Sequence, residues 1–127
     1  MGNYLDGKKH GRGTLLTDRG VYHGEFKNNE IEGRGRYEWD DGRVYEGDWS
    51  GNKMNGFGIY FYADGNRYEG HFVNDKKEGM GKYIWKDGRI YDGMWKDGKQ
   101  HGRGTYIKDG EEKIGEWDMG NRIRWLL

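Results

Sequence analysis

The sequence predicts an all-β chain, an antiparallel β-meander of consecutive hairpins in a single sheet. Three periodic markers predict it. Tyr-x-Gly-x-aromatic recurs as Tyr22/Gly24/Phe26, Tyr45/Gly47/Trp49, Tyr68/Gly70/Phe72 and Tyr91/Gly93/Trp95, 23 residues from one copy to the next. Gly-x-Gly follows each aromatic by seven residues, at 33/35, 56/58, 79/81 and 102/104, with a further pair at 11/13. Asp-Gly occurs at 41/42, 64/65, 87/88 and 109/110, with Asp18-Arg19-Gly20 as a variant. With Gly2 and Gly115, which extend the first marker one residue out of step, 21 of the 25 glycines fall on these markers, so the glycine is periodic and not low-complexity filler.

Taken in order, a half repeat covers 2–10, with Gly2/Tyr4 one residue out of step. Repeats begin at about 11, 33, 56, 79 and 102, and a degenerate C-terminal segment covers 118–127, all within one domain, 1–127. Within a repeat, a run rich in β-formers follows Gly-x-Gly, as in Arg36-Tyr37-Glu38-Trp39 or Lys82-Tyr83-Ile84-Trp85. A second follows Asp-Gly, as in Arg43 to Trp49. Two such runs joined by Asp-Gly read as a β-hairpin, because glycine supplies the positive φ that a tight turn needs. Ser50 to Asn55 reads as a longer, polar return turn to the next hairpin. About ten strands result, spanning roughly 45 Å at the usual strand spacing. No segment shows helical apolar periodicity over two turns. The array opens in mid-repeat, which points either to sequence missing before it or to a half hairpin at its start. At the other end Gly115/Trp117 comes one residue early, with Lys113 in the tyrosine position. The last copy replaces Gly-x-Gly by Arg124 and Leu126. Ile123, Trp125 and Leu127 are then expected to close the sheet, as capping repeats do; a cut in the chain is the competing explanation.

Strand side chains alternate between faces. Gly33, Gly35, Tyr37 and Trp39 therefore share a face with Tyr45, Gly47 and Trp49, while Arg34, Arg36, Glu38, Val44, Glu46 and Asp48 share the other. This parity puts 17 of the 20 aromatics on one face, with Phe57, Phe61 and Trp125 as the exceptions. A single sheet has no second layer to bury that face. Glycine leaves gaps into which neighbouring rings can lean, so the core is distributed along the array and stability approximates a nearest-neighbour sum. The absence of proline fits interior strands, where it would remove a ladder hydrogen bond.

Composition narrows function. Hydrophobic residues make up only 32% and charged residues 35%, which suggests disorder, but 16% aromatics and zero net charge oppose that reading. Without Cys there is no disulfide framework and no thiolate metal site, a composition compatible with an intracellular protein. No apolar run is long enough to span a membrane, and no secretory leader is visible. Met1-Gly2 suggests myristoylation, but Asp6 stands where Ser or Thr is required. His10 and His101 take turn positions and His23 and His71 the polar face, so they read as solvated surface residues and not as a catalytic or metal set. Gly-x-Gly precedes a strand and not a helix N-terminus, which argues against a phosphate cradle. No carboxylate pair stands out as a general acid and base. Balanced charge argues against nucleic-acid binding, which needs a net basic surface.

The 23-residue unit Tyr-x-Gly-x-Trp/Phe, polar turn with Lys, Gly-x-Gly and Asp-Gly resembles the MORN-repeat family (membrane occupation and recognition nexus). Gly7-Lys8-Lys9-His10-Gly11-Arg12-Gly13-Thr14 and Gly98-Lys99-Gln100-His101-Gly102-Arg103-Gly104-Thr105 match it closely, and the resemblance runs from Gly2 to about Gly120. It implies an elongated, twisted meander with an aromatic groove. It also implies non-enzymatic work without cofactors: scaffolding, protein–protein binding, or phospholipid binding in the cytoplasm, at a membrane or the cytoskeleton.

A non-catalytic binding and scaffold module is the expected function, with a peptide or helix as partner. Tyr22, Tyr45, Trp49, Tyr68, Tyr91 and Trp95 are the candidate groove residues. A second candidate surface is apolar and lies on the nominally polar face of repeats three and four: Phe57, Ile59, Phe61, Met80, Ile84 and Met94, with Ile90 beside them. Either another chain covers that patch or the apolar C-terminus folds over it. A second copy of the chain is a further candidate partner, through the patch or the C-terminal repeat. The alternative is a peripheral phosphoinositide or anionic-membrane module acting through Lys53, Lys76, Lys77 and Lys99 in the return turns. Those turns also hold acidic residues, so they are mixed and not polybasic. An enzymatic connection survives only as the regulatory domain of a larger enzyme.

Overall fold

The computed structural model describes residues 2–5 and 8–126. Asp6 and Leu127 lie outside it, as do the side chains of residues 2–8. Its strands are β1 (Gly2–Leu5), β2 (Lys8–Leu16), β3 (Gly20–Lys27), β4 (Glu30–Trp39), β5 (Val44–Ser50), β6 (Lys53–Phe61), β7 (Arg67–Val73), β8 (Lys76–Ile84), β9 (Ile90–Lys96), β10 (Lys99–Lys108), β11 (Glu111–Asp118) and β12 (Asn121–Leu126). They form one open antiparallel sheet whose spatial order is the chain order. There are twelve strands and not about ten, because the opening half repeat and the degenerate C-terminal segment each add one.

The two kinds of connection are the reverse of what their sequences suggest. The Asp-Gly connection is the longer one. Gly42 N–H donates to Trp39 O, and Trp39 N–H donates to Arg43 O, enclosing a three-residue loop that ends on Gly42 at φ 101°. The return connection is a tight two-residue turn. Asn28-Asn29, Gly51-Asn52, Asn74-Asp75 and Asp97-Gly98 all have positive φ at both residues, the type I′ geometry whose twist suits a hairpin. Lys53, Met54 and Asn55 are therefore strand residues. Two early shifts in the sequence period follow from loop length. Asp109-Gly110 is a two-residue turn between Lys108 and Glu111, so the last tyrosine position arrives a residue early. Asp18-Arg19 is equally short and is held by Thr17 Oγ1, which accepts from the N–H groups of Arg19 and Gly20. Gly20 is thus not a turn glycine: it opens β3, where a Cβ would strike the carbonyl of Glu38.

Gly-x-Gly marks a bulge. Opposite β7, Gly70 faces Gly81 and Phe72 faces Lys77, so His71 alone spans residues 78–80 of β8. Two extra residues preserve the side-chain parity, which keeps Lys77 and Gly81 on one face.

Successive hairpins are tied together along the edge that carries the return turns. The turn residues Asn29, Asn52 and Asp75 accept through Oδ1 from the N–H groups of Lys9, Ile31 and Met54 at 2.7–2.8 Å. Their own N–H groups donate back to the carbonyls of the same three residues at 3.0–3.1 Å. In four of the five repeats the residue before Gly-x-Gly reaches the next turn: Glu32 accepts from Gly51 N–H, Asn55 from Asn74, Glu78 from Asp97 and His101 from Met119, whereas the buried Nδ1 of His10 has no partner. The repeat is therefore also a hydrogen-bonding unit.

The C-terminal copy breaks the pattern for a physical reason. Arg124 replaces the first glycine of the bulge, and β12 carries one extra residue opposite β11 where β8 and β10 carry two. One extra residue reverses parity. Trp125 therefore pairs with Gly115 on the aromatic face and covers the glycine that, with Lys113 in the tyrosine position, has no tyrosine ring over it. The expectation that Trp125 lies on the polar face is corrected. Ile123 remains 53% exposed and does not close the sheet; Trp125, 37% exposed, packs edge-on against Trp117 and tilted against Tyr106 at its end.

Candidate functional site

The aromatic face is built outward from four tyrosines. Tyr22, Tyr45, Tyr68 and Tyr91 are completely buried, and each hydroxyl donates to the carbonyl three residues on, at 2.9 Å. Their rings lie on Gly35, Gly58, Gly81 and Gly104 of the next strand, where a Cβ would overlap them. Each also meets two aromatics edge-on. Tyr45 packs against Trp49 of its own repeat at 5.1 Å and Phe72 of the next at 5.2 Å, and Tyr68 repeats this with Phe72 and Trp95. Such pairs contribute about 0.5–1.5 kcal/mol each beyond area burial. The indole N–H groups of Trp49 and Trp95 donate to the carbonyls of Gly35 and Gly81 at 3.1 and 3.0 Å. Burial pushes the Tyr22 and Tyr91 hydroxyls up to about 12, and those of Tyr45 and Tyr68 higher still.

The six candidate groove residues are therefore the packed floor of this face. The surface above them is a second tier of half-buried rings that the sequence reading placed on the face without assigning to the groove: Tyr37, Trp39, Tyr62, Tyr83, Trp85 and Tyr106. The signal for this tier was present in the sequence, in the run between each Gly-x-Gly and Asp-Gly. Part of the tier walls a cleft of about 510 Å³, lined among others by Tyr37, Trp39, Arg43, Tyr62, Lys76 and Lys77. The Arg43 guanidinium lies 4.7 Å from the Trp39 ring and donates to the Tyr60 hydroxyl at 3.0 Å. Its charge is matched by Asp41 at 2.8 Å.

Lys77 corrects another expectation. It is not in a return turn. It sits in β8 at the bulge, and its ammonium lies 5.4–6.0 Å from the rings of Tyr62, Tyr68, Tyr83 and Trp95. It donates to the Tyr62 hydroxyl at 2.8 Å, and burial holds it below the ordinary lysine value. Lys53, Lys76 and Lys99 are exposed strand residues that recur every 23 positions along one edge.

On the opposite face Phe57, Phe61, Met80 and Met94 are exposed, at 37–55%, with Ile59 and Ile84 half-buried. Met80 pairs with Met94 and Ile84 with Ile90 across β8 and β9. The strip Arg67-Glu69-His71 of β7 separates them from Phe57, Ile59 and Phe61. The C-terminal segment does not fold over this patch, since β12 pairs with β11 at the end of the sheet. The histidines are dispersed. His10 and His101 lie in β2 and β10 and not in turns, His23 Nδ1 bonds Thr14 at 3.1 Å, and His71 stacks edge-on against Phe57. Among the described residues no group of three His, Cys, Asp or Glu could hold a metal ion, and no helix is long and apolar enough to cross a membrane.

Comparison with known families agrees with this architecture. The family model of the MORN repeat matches five times, at residues 1–20, 22–42, 45–67, 68–88 and 91–111. No curated protein matches the chain. MORN repeats are a non-catalytic repeat type associated with protein or membrane interactions. A chain whose tyrosines, glycines and turns recur in register with those five matches belongs to the MORN-repeat family.

Proposed function

We propose that this chain is a non-catalytic protein-interaction and scaffold module that docks a peptide or helix of a partner on its aromatic face. The cleft of about 510 Å³ carries the reading, because half-buried Tyr37, Trp39 and Tyr62 wall it above a floor of buried Ile31, Trp49, Met54, Tyr60 and Phe72. Rings that are not needed to fill the floor are free to pack against apolar side chains of another chain. The apolar patch around Phe57 and Phe61 is a second contact surface, and a second copy of the chain could use it. Capture of partners by the wild type, Trp39→Ser/Trp85→Ser and Phe57→Ser/Phe61→Ser separates the two surfaces. Loss of capture only with the tryptophan pair, both variants being folded, is expected for the principal contact. Undiminished capture by the tryptophan pair removes the aromatic face from the proposal.

A second reading, a peripheral anionic-membrane module, rests on the row Lys53, Lys76 and Lys99 along one edge. Flotation with phosphoinositide-containing liposomes tests it. Salt-sensitive binding lost on Lys53→Glu/Lys76→Glu/Lys99→Glu would support it, and no flotation would remove it.

A further inference from the structure

From β3 to β9, Lys77 is the one charged strand residue whose place in the alternation is on the aromatic face; Lys76 and the turn residue Asp75 beside it border the cleft. The equivalent positions in the two preceding repeats are Ile31 and Met54, which are 7% and 8% exposed and belong to the core. An ammonium in that place loses hydration that an isoleucine or methionine does not need. The four surrounding rings and the Tyr62 hydroxyl offset part of this cost. No ion pair among the described residues includes Lys77, although Arg43 and Arg89 on the same side are paired with Asp41 and Asp87. Tyr62 takes one N–H of a group that has three to donate. The zero net charge of the chain hides this asymmetry, because the acids and most of the bases sit in turns, loops and on the opposite face.

We infer that the partner segment is acidic, and that one Asp or Glu side chain of it seats on the Lys77 ammonium while its apolar neighbours pack against the second tier of rings. The inference rests on the proposed docking face and adds the chemistry of its occupant. A carboxylate there gives Lys77 a counter-charge that no ion pair among the described residues supplies, at a half-buried position less screened than the open surface. The rings beside it require large apolar groups next to the carboxylate. A helix or strand face of a protein supplies these at fixed spacing, and a lipid headgroup does not.

Selection of a displayed library of random 16-residue peptides on the full chain tests this. Peptides selected on the wild type should share an acidic position flanked by aromatic or aliphatic residues. The best of them, synthesised with both ends blocked, should bind Lys77→Met about tenfold or more weakly, the worth of one charge-assisted hydrogen bond. Replacing its acidic residue by the matching amide should weaken binding to the wild type but not to Lys77→Met, the signature of direct coupling. Lys77→Met copies Met54, so it should fold at least as stably as the wild type. Peptides that lose binding with Trp39→Ser but not with Lys77→Met, or that show no acidic preference, overturn the inference and leave the docking face standing. Peptides indifferent to both substitutions overturn both.

Discussion

Gly79 and Gly81 sit two residues apart and are needed for different reasons. Gly79 has φ 78° and open space around its α-carbon, so it serves only backbone conformation. Gly81 is required for space, since a Cβ there would enter the Tyr68 ring. Gly79→Ala should cost about 1–2 kcal/mol, the usual penalty for a left-handed residue. Asn tolerates that region and should recover most of the loss. Gly81→Ala should cost about 1–3 kcal/mol from overpacking, and Gly81→Asn more. Urea unfolding of the four variants decides, and equal effects at the two sites would contradict the division. The tyrosines make a separate prediction. Their folded forms hold the phenolic proton to about 12 for Tyr22 and Tyr91, against about 10 in an unfolded chain. Stability is therefore fully present below pH about 10 and is lost as pH rises towards 12. Absorbance of tyrosinate and loss of near-ultraviolet circular dichroism should appear together in that window. Four hydroxyls titrating at about 10 with the fold intact would contradict their burial.

At the scale of the element, the hairpins and the alternation of faces were legible because the aromatic face repeats strictly. The connections were not. Asn28-Asn29 and Asn74-Asp75 lack the glycine that advertises a type I′ turn, yet both residues of each take positive φ. Their side chains also bond the preceding repeat, a long-range contact that local sequence does not display. Lys77 was misplaced for the same reason: with the turn drawn too long, its strand and its face went unrecognised. Trp125 was misplaced because one bulge residue replaced two, which depends on the missing glycine at 124 and not on the tryptophan itself. Asn52 makes the two contributions of a turn separable. It holds φ 65° and accepts from Ile31 N–H at 2.8 Å. Asn52→Gly keeps the conformation and should cost about 0.5–1.5 kcal/mol for the lost hydrogen bond. Asn52→Ala loses both and should cost about 1 kcal/mol more. Equal unfolding midpoints for the two variants would show that the turn conformation contributes nothing.

At the scale of the whole molecule, the sheet has no second layer, and its cohesion passes from each repeat to the next. The paired contacts are ring on glycine, ring on ring across repeats, and turn on strand start, and each reaches only the neighbouring hairpin. A chain with only 32% hydrophobic residues can fold this way because the same few apolar groups are reused at every step. The result is a sheet with two chemically distinct surfaces. One is lined by rings, has a cleft and holds Lys77 among four of its rings; the other carries crossed ion pairs such as Arg36 with Glu38 and Glu46, interrupted by exposed Phe57, Phe61, Met80 and Met94. Partner docking is proposed for the first surface. Hydroxyl-radical footprinting by mass spectrometry, with and without a captured partner, measures both surfaces in one experiment. Protection of Trp39, Tyr62 and Trp85, with Phe57, Met80 and Met94 oxidised as in the free chain, is the predicted result. Protection confined to Phe57, Phe61, Met80 and Met94 would contradict it and make the opposite surface the working one.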